Sequence, residues 1–392
     1  MVDAWYEEWF TLVIRWFHFM MGVAWIGASF YFVWLNNAVR PPKEDAPGVS
    51  GEVWSVHGGA FYQVRKYAGA PPKLPEVLHW FKWEAYLTWL SGFTLLVLLW
   101  WTKADTMMIN PSGFPLTAWQ AVGVGAASLL GGWLVYDGLC RSPLKNHSGV
   151  LGALLFGFVS AVSYGLSRLL GGHAAYMHVG AMLGTWMVGN VAMVIIPGQR
   201  AIVNALIAGT PPPLERGKAG ALRSLHNNYI TLPVLFIMVS GHFPNTWGQP
   251  YGWAILLALG LIGAGYRHSV NLEERGQHVR WILPVLAVGL LSLAFVTKPA
   301  PAHNVGGPAV SITRVQQIVG ERCITCHAEQ PLQKGIGSPP KGVVLQTPAQ
   351  ILALKDRIVQ QVVVSKAMPL GNITHITDGE REEIAQWAAG IP

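Results

Sequence analysis

Cys323-Ile324-Thr325-Cys326-His327 decides how this chain is read. Two thiols three residues apart, with an imidazole directly after them, form a covalent attachment site for haem c. The thiols add across the haem vinyl groups, and the adjacent histidine takes one axial position on iron. A thioredoxin-like pair would sit beside a βαβ pattern, and none is visible. A disulfide would leave His327 unexplained, and a zinc site would need a second ligand pair at matching spacing.

The flanking sequence agrees. Ser311 to Cys326 reads as a helix with Ser311 at its N-cap, running into the motif. Met368-Pro369 lies in a short loop suited to presenting a thioether, so His327 and Met368 are the expected axial pair, with His375 in reserve and a core methionine as the bland alternative. A last helix, Asp378 to Ala389, is expected with Asp378 as its N-cap. Residues 311–392 are therefore expected to form a small α-helical cytochrome c domain, joined by a Pro/Gly linker at 299–310 to a different kind of domain at 1–298.

That larger part has a membrane composition. The chain of 392 residues is 52% hydrophobic and only 12% charged, with 18 Trp. Apolar runs of about 17–25 residues read as membrane helices. They fall at 10–35, 81–101, 116–139, 149–168, 174–196, 224–241, 251–268 and 281–297. The expected fold class is all-α: an eight-helix bundle in lipid, then the cytochrome. A short helix is expected at Val53–Tyr67, inside the polar loop 36–80. Asp3, Glu7 and Glu8 precede the first apolar run, so no signal peptide is expected. Of the three cysteines two belong to the haem motif and Cys140 is left without a partner, which excludes a disulfide framework.

The net charge of +7 does not signal nucleic acid, because the basic residues fall in loops between apolar runs. They alternate in a useful way. Loop 36–80 carries Arg40, Lys43, Arg65, Lys66 and Lys73; the third loop Arg141 and Lys145; the fifth Arg200, Arg216, Lys218 and Arg223; the seventh Arg275 and Arg280, with Arg267 at the helix end. The other loops hold little more than Lys103, Arg168 and Lys298. The positive-inside rule then places both termini outside, the face of the bacterial inner membrane on which haem c is attached. A weak internal repeat pairs His18…Trp25 with His178…Trp186, and Tyr86-Leu87-Thr88 with Tyr229-Ile230-Thr231, suggesting two four-helix halves.

Ionisable residues within apolar helices are costly and are functional candidates by default. His18 and His178 occupy matching places in the two halves, so they are the first candidates to hold a haem b between facing helices. A hydrogen-bonded packing histidine is the competing reading for each. For a substrate pocket the candidates are Arg15, Lys82, Glu84 and Asn227, since a cation with amide donors and an aromatic face suits a flat anionic heterocycle. Arg15 and Lys82 are equally suited to snorkelling.

An eight-helix region opening Arg15-Trp16-Phe17-His18-Phe19-Met20-Met21-Gly22-Val23-Ala24-Trp25-Ile26-Gly27, fused to a C-terminal cytochrome c, resembles the bacterial membrane-bound urate hydroxylases over essentially its full length. The resemblance implies oxidation of urate to 5-hydroxyisourate in purine breakdown. Electrons would pass through membrane haem to the fused cytochrome, then to a respiratory oxidase or a soluble cytochrome c. The His18, Trp25, Gly27 pattern is also similar to haem b-containing membrane protoporphyrinogen oxidases and copper-resistance membrane proteins, which implies His18 as a haem b ligand. The alternative is another haem-linked membrane dehydrogenase with a quinol or porphyrinogen as donor. An anchored shuttle would need one helix rather than eight. A transporter with a redox sensor is a further reading, against which the linker and fused cytochrome speak for redox output.

Overall fold

All eight apolar runs are helical. The computed structural model describes residues 4–44, 47–69, 71, 73–110, 113–298, 310–333 and 336–390. In order these form α1 (Ala4–Ala38), β1 (Val49–His57), β2 (Ala60–Tyr67), α2 (Trp83–Leu96, continued by a π-turn, Val97–Trp101), α3 (Ala104–Met107), α4 (Ala118–Arg141), α5 (Ser148–Leu169), α6 (Gly172–Gly189, with a π-turn at Asn190–Ile195), α7 (Ile196–Ile207), α8 (Leu214–Ser240), α9 (Pro244–Trp247), α10 (Gly252–Glu274) and α11 (Ile282–Val296). The C-terminal part adds α12 (Ile312–Arg322), α13 (Pro348–Ala353), α14 (Lys355–Ile358, then a π-turn at Val359–Val364) and α15 (Asp378–Ala389). All but one residue of the expected linker lies outside the described residues.

Among the described residues, five helices are long and apolar enough to cross a membrane: α1, α4, α5, the continuous α6–α7, and α10. Of the other expected spans, α11 is apolar but only 15 residues long. α8 carries Arg223, His226, Asn227 and Asn228 in its length, which dilutes its apolar stretch.

The chain corrects the expected helix at Val53–Tyr67. This segment is an antiparallel hairpin, with Val53 opposite Val64 and His57 opposite Ala60. Gly58 and Gly59 both adopt positive φ, as the two-residue turn of a twisted hairpin requires. Two caps are also corrected. α12 stops at Arg322, and the motif follows it as a separate turn. The N-cap of α15 is Thr377, in a capping box with Glu380, and Asp378 is the first helical residue.

The bundle core lies between α4, α5, α6 and the end of α2, around Trp100, Tyr136, Tyr176, Met182 and Trp186. Small residues set the helix spacing there. A Cβ on Gly132 would lie 2.5 Å from Met182, and one on Gly180 would lie 2.6 Å from Ile237. α1 packs along α2 and touches α8 and α10 lightly, so much of its surface is exposed. A separate core joins α12 to α15 through Val315, Ile318, Val319, Ile384 and Trp387. Arg314 and Arg322 reinforce that contact by ion pairs to Glu383 and Glu380.

The C-terminal part rests on the bundle end formed by α3 and α9. The turn Leu370–Asn372 meets α3, and the π-turn after α14 meets α9. The fit is close: a Cβ on Gly371 would lie 2.5 Å from the Thr106 carbonyl oxygen, and one on Gly248 would lie 2.6 Å from Ser365. The hairpin lies at the opposite end, where Asn37 and Arg40 bond to Glu274.

Candidate functional site

The Cys323–His327 turn is wound helically. The Cys323 carbonyl accepts from Cys326 N at 3.1 Å and from His327 N at 2.9 Å, so both thiols and the imidazole share one short turn. The structure brings Met368 to the same core: Cys323 and Met368 both pack on the α12–α15 cluster. His327 Nδ1 bonds to the Val343 carbonyl at 3.0 Å. That contact makes Nδ1 the protonated nitrogen and leaves the Nε2 lone pair for a metal. Met368 is anchored through its backbone, with N donating to Gln361 O and O accepting from Arg381. Burial pushes the Cys323 thiol up to about 12, which keeps it neutral among apolar neighbours before any addition. The indole N–H of Trp387, in the same core, has no acceptor among the described residues. Two thiols, an oriented imidazole, a thioether and an unserved donor beside one apolar core fit haem c. His375 adopts positive φ in the turn after Asn372, and its amide bonds to Asn372 O.

In the bundle, His18 and His178 make separate contacts. His18 Nδ1 lies 2.9 Å from Thr88 O and 3.0 Å from Ser91 Oγ, and its ring lies against Gly92 of α2. No hydrogen bond engages its Nε2 among the described residues. His178 is fully buried, with Nδ1 2.8 Å from Ala174 O and Nε2 accepting from Trp101 Nε1 at 3.0 Å. A ligand on His178 would have to displace Trp101. His18 therefore fits a metal-binding role better than His178 does.

The four pocket candidates are also dispersed. Arg15 lines a cleft of about 360 Å³ with Glu7, Glu8, Thr11 and Lys103, beside the C-terminal part, where Ser338 reaches Glu8. Lys82 precedes α2 and lies 5.4 Å from the centre of the Trp83 ring. Glu84, in the first turn of α2, has one buried carboxylate oxygen without a hydrogen-bond partner among the described residues. Asn227 alone joins a buried network.

That network centres on Arg223, which is only 2% exposed. Arg223 donates to Asp137 at 2.7 Å and to Asn190 Oδ1 at 3.2 Å, and its guanidinium lies 4.8 Å from the Tyr136 ring centre. Asn190 donates to Tyr136 OH and to Asn227 Oδ1, both at 2.8 Å. Asn227 donates to Met187 O, and Tyr136 OH contacts His226 Nδ1. Tyr136 stacks on Trp186 at 4.4 Å. Asn190 opens the π-turn of α6, a geometry that turns side chains out of normal helical register.

A second cluster links α1, α8 and α10. Arg267 donates through Nε to Asn228 Oδ1, and Asn228 donates to Asn271 Oδ1 at 3.1 Å. The Arg267 guanidinium lies 4.3 Å from the Phe30 ring centre and faces Glu274 at 3.5 Å. Asn37 donates to Glu274 at 2.9 Å and accepts from Arg275.

Arg223 and Arg267 are the residues that counting loop charges misplaces. Their sequence signal is spacing: each has an Asn four residues on, Asn227 and Asn271, on the same helical face.

Residues 4–298 match a family model described as the urate oxidase N-terminal family. No curated protein and no solved structure matches the chain.

Proposed function

This chain belongs to the urate oxidase N-terminal family, and from that membership we propose that it oxidises urate to 5-hydroxyisourate, with a haem c at Cys323, Cys326 and His327 as its built-in acceptor. The reaction adds water oxygen at C5 of urate and releases two electrons and two protons. Bound haem c supplies a one-electron acceptor whose potential is raised by a thioether ligand. The chain's own residues do the rest. Cys323 and Cys326 tether the group, Val343 O orients His327, and the backbone bonds of Met368 hold its thioether on the same core.

The observation that carries this reading is the docking of the Met368 loop. A motif domain tethered for storage would need only a linker. Here Ser365 and Gly371, on either side of Met368, press against Gly248 and Thr106 of the family-matched bundle. The acceptor domain is thus seated on the part of the chain that carries the urate assignment. The loop charges favour a bacterial inner membrane with the N-terminus and residues 311–392 periplasmic, so electrons would leave to a soluble cytochrome c or a respiratory oxidase. His18, with Nδ1 anchored, is the residue that would hold a haem b in the bundle.

Full-length protein in detergent should consume urate without dioxygen when ferricyanide is supplied, reducing two acceptors per urate. Consumption that requires dioxygen and releases peroxide would overturn the assignment.

A further inference from the structure

Two buried donors in the second cluster have no hydrogen-bond acceptor among the described residues. They are Arg267 Nη2 and Asn271 Nδ2, on residues 5% and 2% exposed. Both residues bond to the amide of Asn228 and stand one turn apart on α10, so their side chains share one face of the helix. A buried donor left unmade is costly, and two together point to a shared acceptor. Glu274 does not fill this role. It faces Nη2 at 3.5 Å without a hydrogen bond, while its other oxygen is taken by Asn37. Arg267 faces that carboxylate, Arg40 bonds to the Glu274 backbone carbonyl and Arg275 bonds to Asn37 Oδ1, so three arginines gather near one carboxylate and the local balance favours an anion. The guanidinium already lies against Phe30, which supplies an aromatic face.

Neither alternative in the bundle is as well suited. The Arg223 network has donors and acceptors matched within itself, apart from the Trp186 indole. The Arg15 cleft sets Glu7 and Glu8 against Arg15 and Lys103, so its charges balance and give an anion no net attraction.

We propose that Arg267, Asn271 and Asn228 form the binding site for the urate anion, with the free donors of Arg267 and Asn271 meeting its carbonyl oxygens and Phe30 meeting its ring. This rests on the urate reading and adds the residues. A planar anion rich in carbonyl acceptors matches a guanidinium fork beside a carboxamide. The cover over the site includes Phe30 and Asn37 of α1, whose main packing partner is α2, so a ligand would enter by a shift of α1 from α10 that exchanges the Asn37 bonds to Glu274 and Arg275 for contacts to the ligand.

Asn271→Asp tests this sharply. It puts a carboxylate beside Arg267, serving the free guanidinium from within the protein while repelling an anionic ligand. The experiment measures urate binding calorimetrically to full-length haem-loaded protein that has been reduced beforehand, so that no turnover occurs. Asn271→Asp should weaken binding about tenfold to a hundredfold. Its melting temperature without urate should equal or exceed that of the unsubstituted protein, and its haem spectrum should be unchanged. Arg267→Lys, which keeps the charge but loses the fork, should weaken binding about tenfold or more. Unchanged affinity in both variants, in a protein that still oxidises urate, would overturn this site and leave its donors to water. Failure of the unsubstituted protein to bind or oxidise urate would overturn the functional reading itself.

Discussion

Replacing both Cys323 and Cys326 by Ala should give a chain that carries no haem through a denaturing gel and transfers no electrons from urate to ferricyanide. The bundle should survive. Its core around Tyr136, Met182 and Trp186 shares no residue with the α12–α15 core that holds the motif. Thermal unfolding of the double variant should therefore retain the bundle transition while the C-terminal transition falls, since a covalent group packed on that core stabilises only the folded state. Met368→Ala separates attachment from ligation. It should keep the covalent haem, lose the far-red methionine–iron band of the oxidised protein and lower the midpoint potential, because a thioether ligand raises it. Haem staining, absorption spectroscopy and redox titration check the set.

Arg223→Ala should be the most destabilising single change in the bundle, by about 3–5 kcal/mol, the cost of leaving a buried charge without its partner. Arg223 is buried, and its loss strips Asp137 of its 2.7 Å partner and Asn190 of a donor. Arg141 still reaches Asp137 at 2.6 Å from a more exposed position, which places the effect toward the lower end of that range. Arg223→Lys should recover only part, since one ammonium cannot span Asp137 and Asn190 as the guanidinium does. Removing both charges, with Arg223→Met and Asp137→Leu together, should restore most of the stability, because an apolar pair leaves no buried charge unpaired and only Asn190 Oδ1 short of a donor. Melting curves in detergent read all three, and the double variant separates a structural network from a substrate site.

The helices of this chain were legible because each apolar run carries its own signal. Residues 81–101 and 281–297 read as helices from content alone. The hairpin at Val49–Tyr67 had a signal that a helical reading overrides: Val53, Ser55 and His57 alternate with Trp54 and Val56, and Gly58-Gly59 supplies the turn. The Cys323–His327 spacing is local, so it is visible without the fold. The buried sites are not, because their partners come from distant helices. Asn227 was a candidate, but its partners Asn190 and Met187 come from α6 and its π-turn, and the network closes only when Arg223 bonds to Asn190 and α4 brings Asp137 and Tyr136. Arg223 and Arg267 looked like loop charges because each lies near a polar helix end. Only packing shows them turned inward at 2% and 5% exposure. His18 and His178 matched by position in a repeat, yet position does not fix the second nitrogen. His18 keeps its Nε2 clear of hydrogen bonds among the described residues, whereas that of His178 accepts from Trp101.

The central claim is that urate electrons reach a haem held by this chain itself. An anaerobic visible spectrum of the oxidised, detergent-solubilised protein, taken before and after urate is added, tests it most directly, with a pyridine haemochrome on the same sample. The account predicts that urate alone reduces a c-type haem present at one per chain. An oxidised spectrum unchanged by urate, in protein whose haem a quinol reduces, would contradict it.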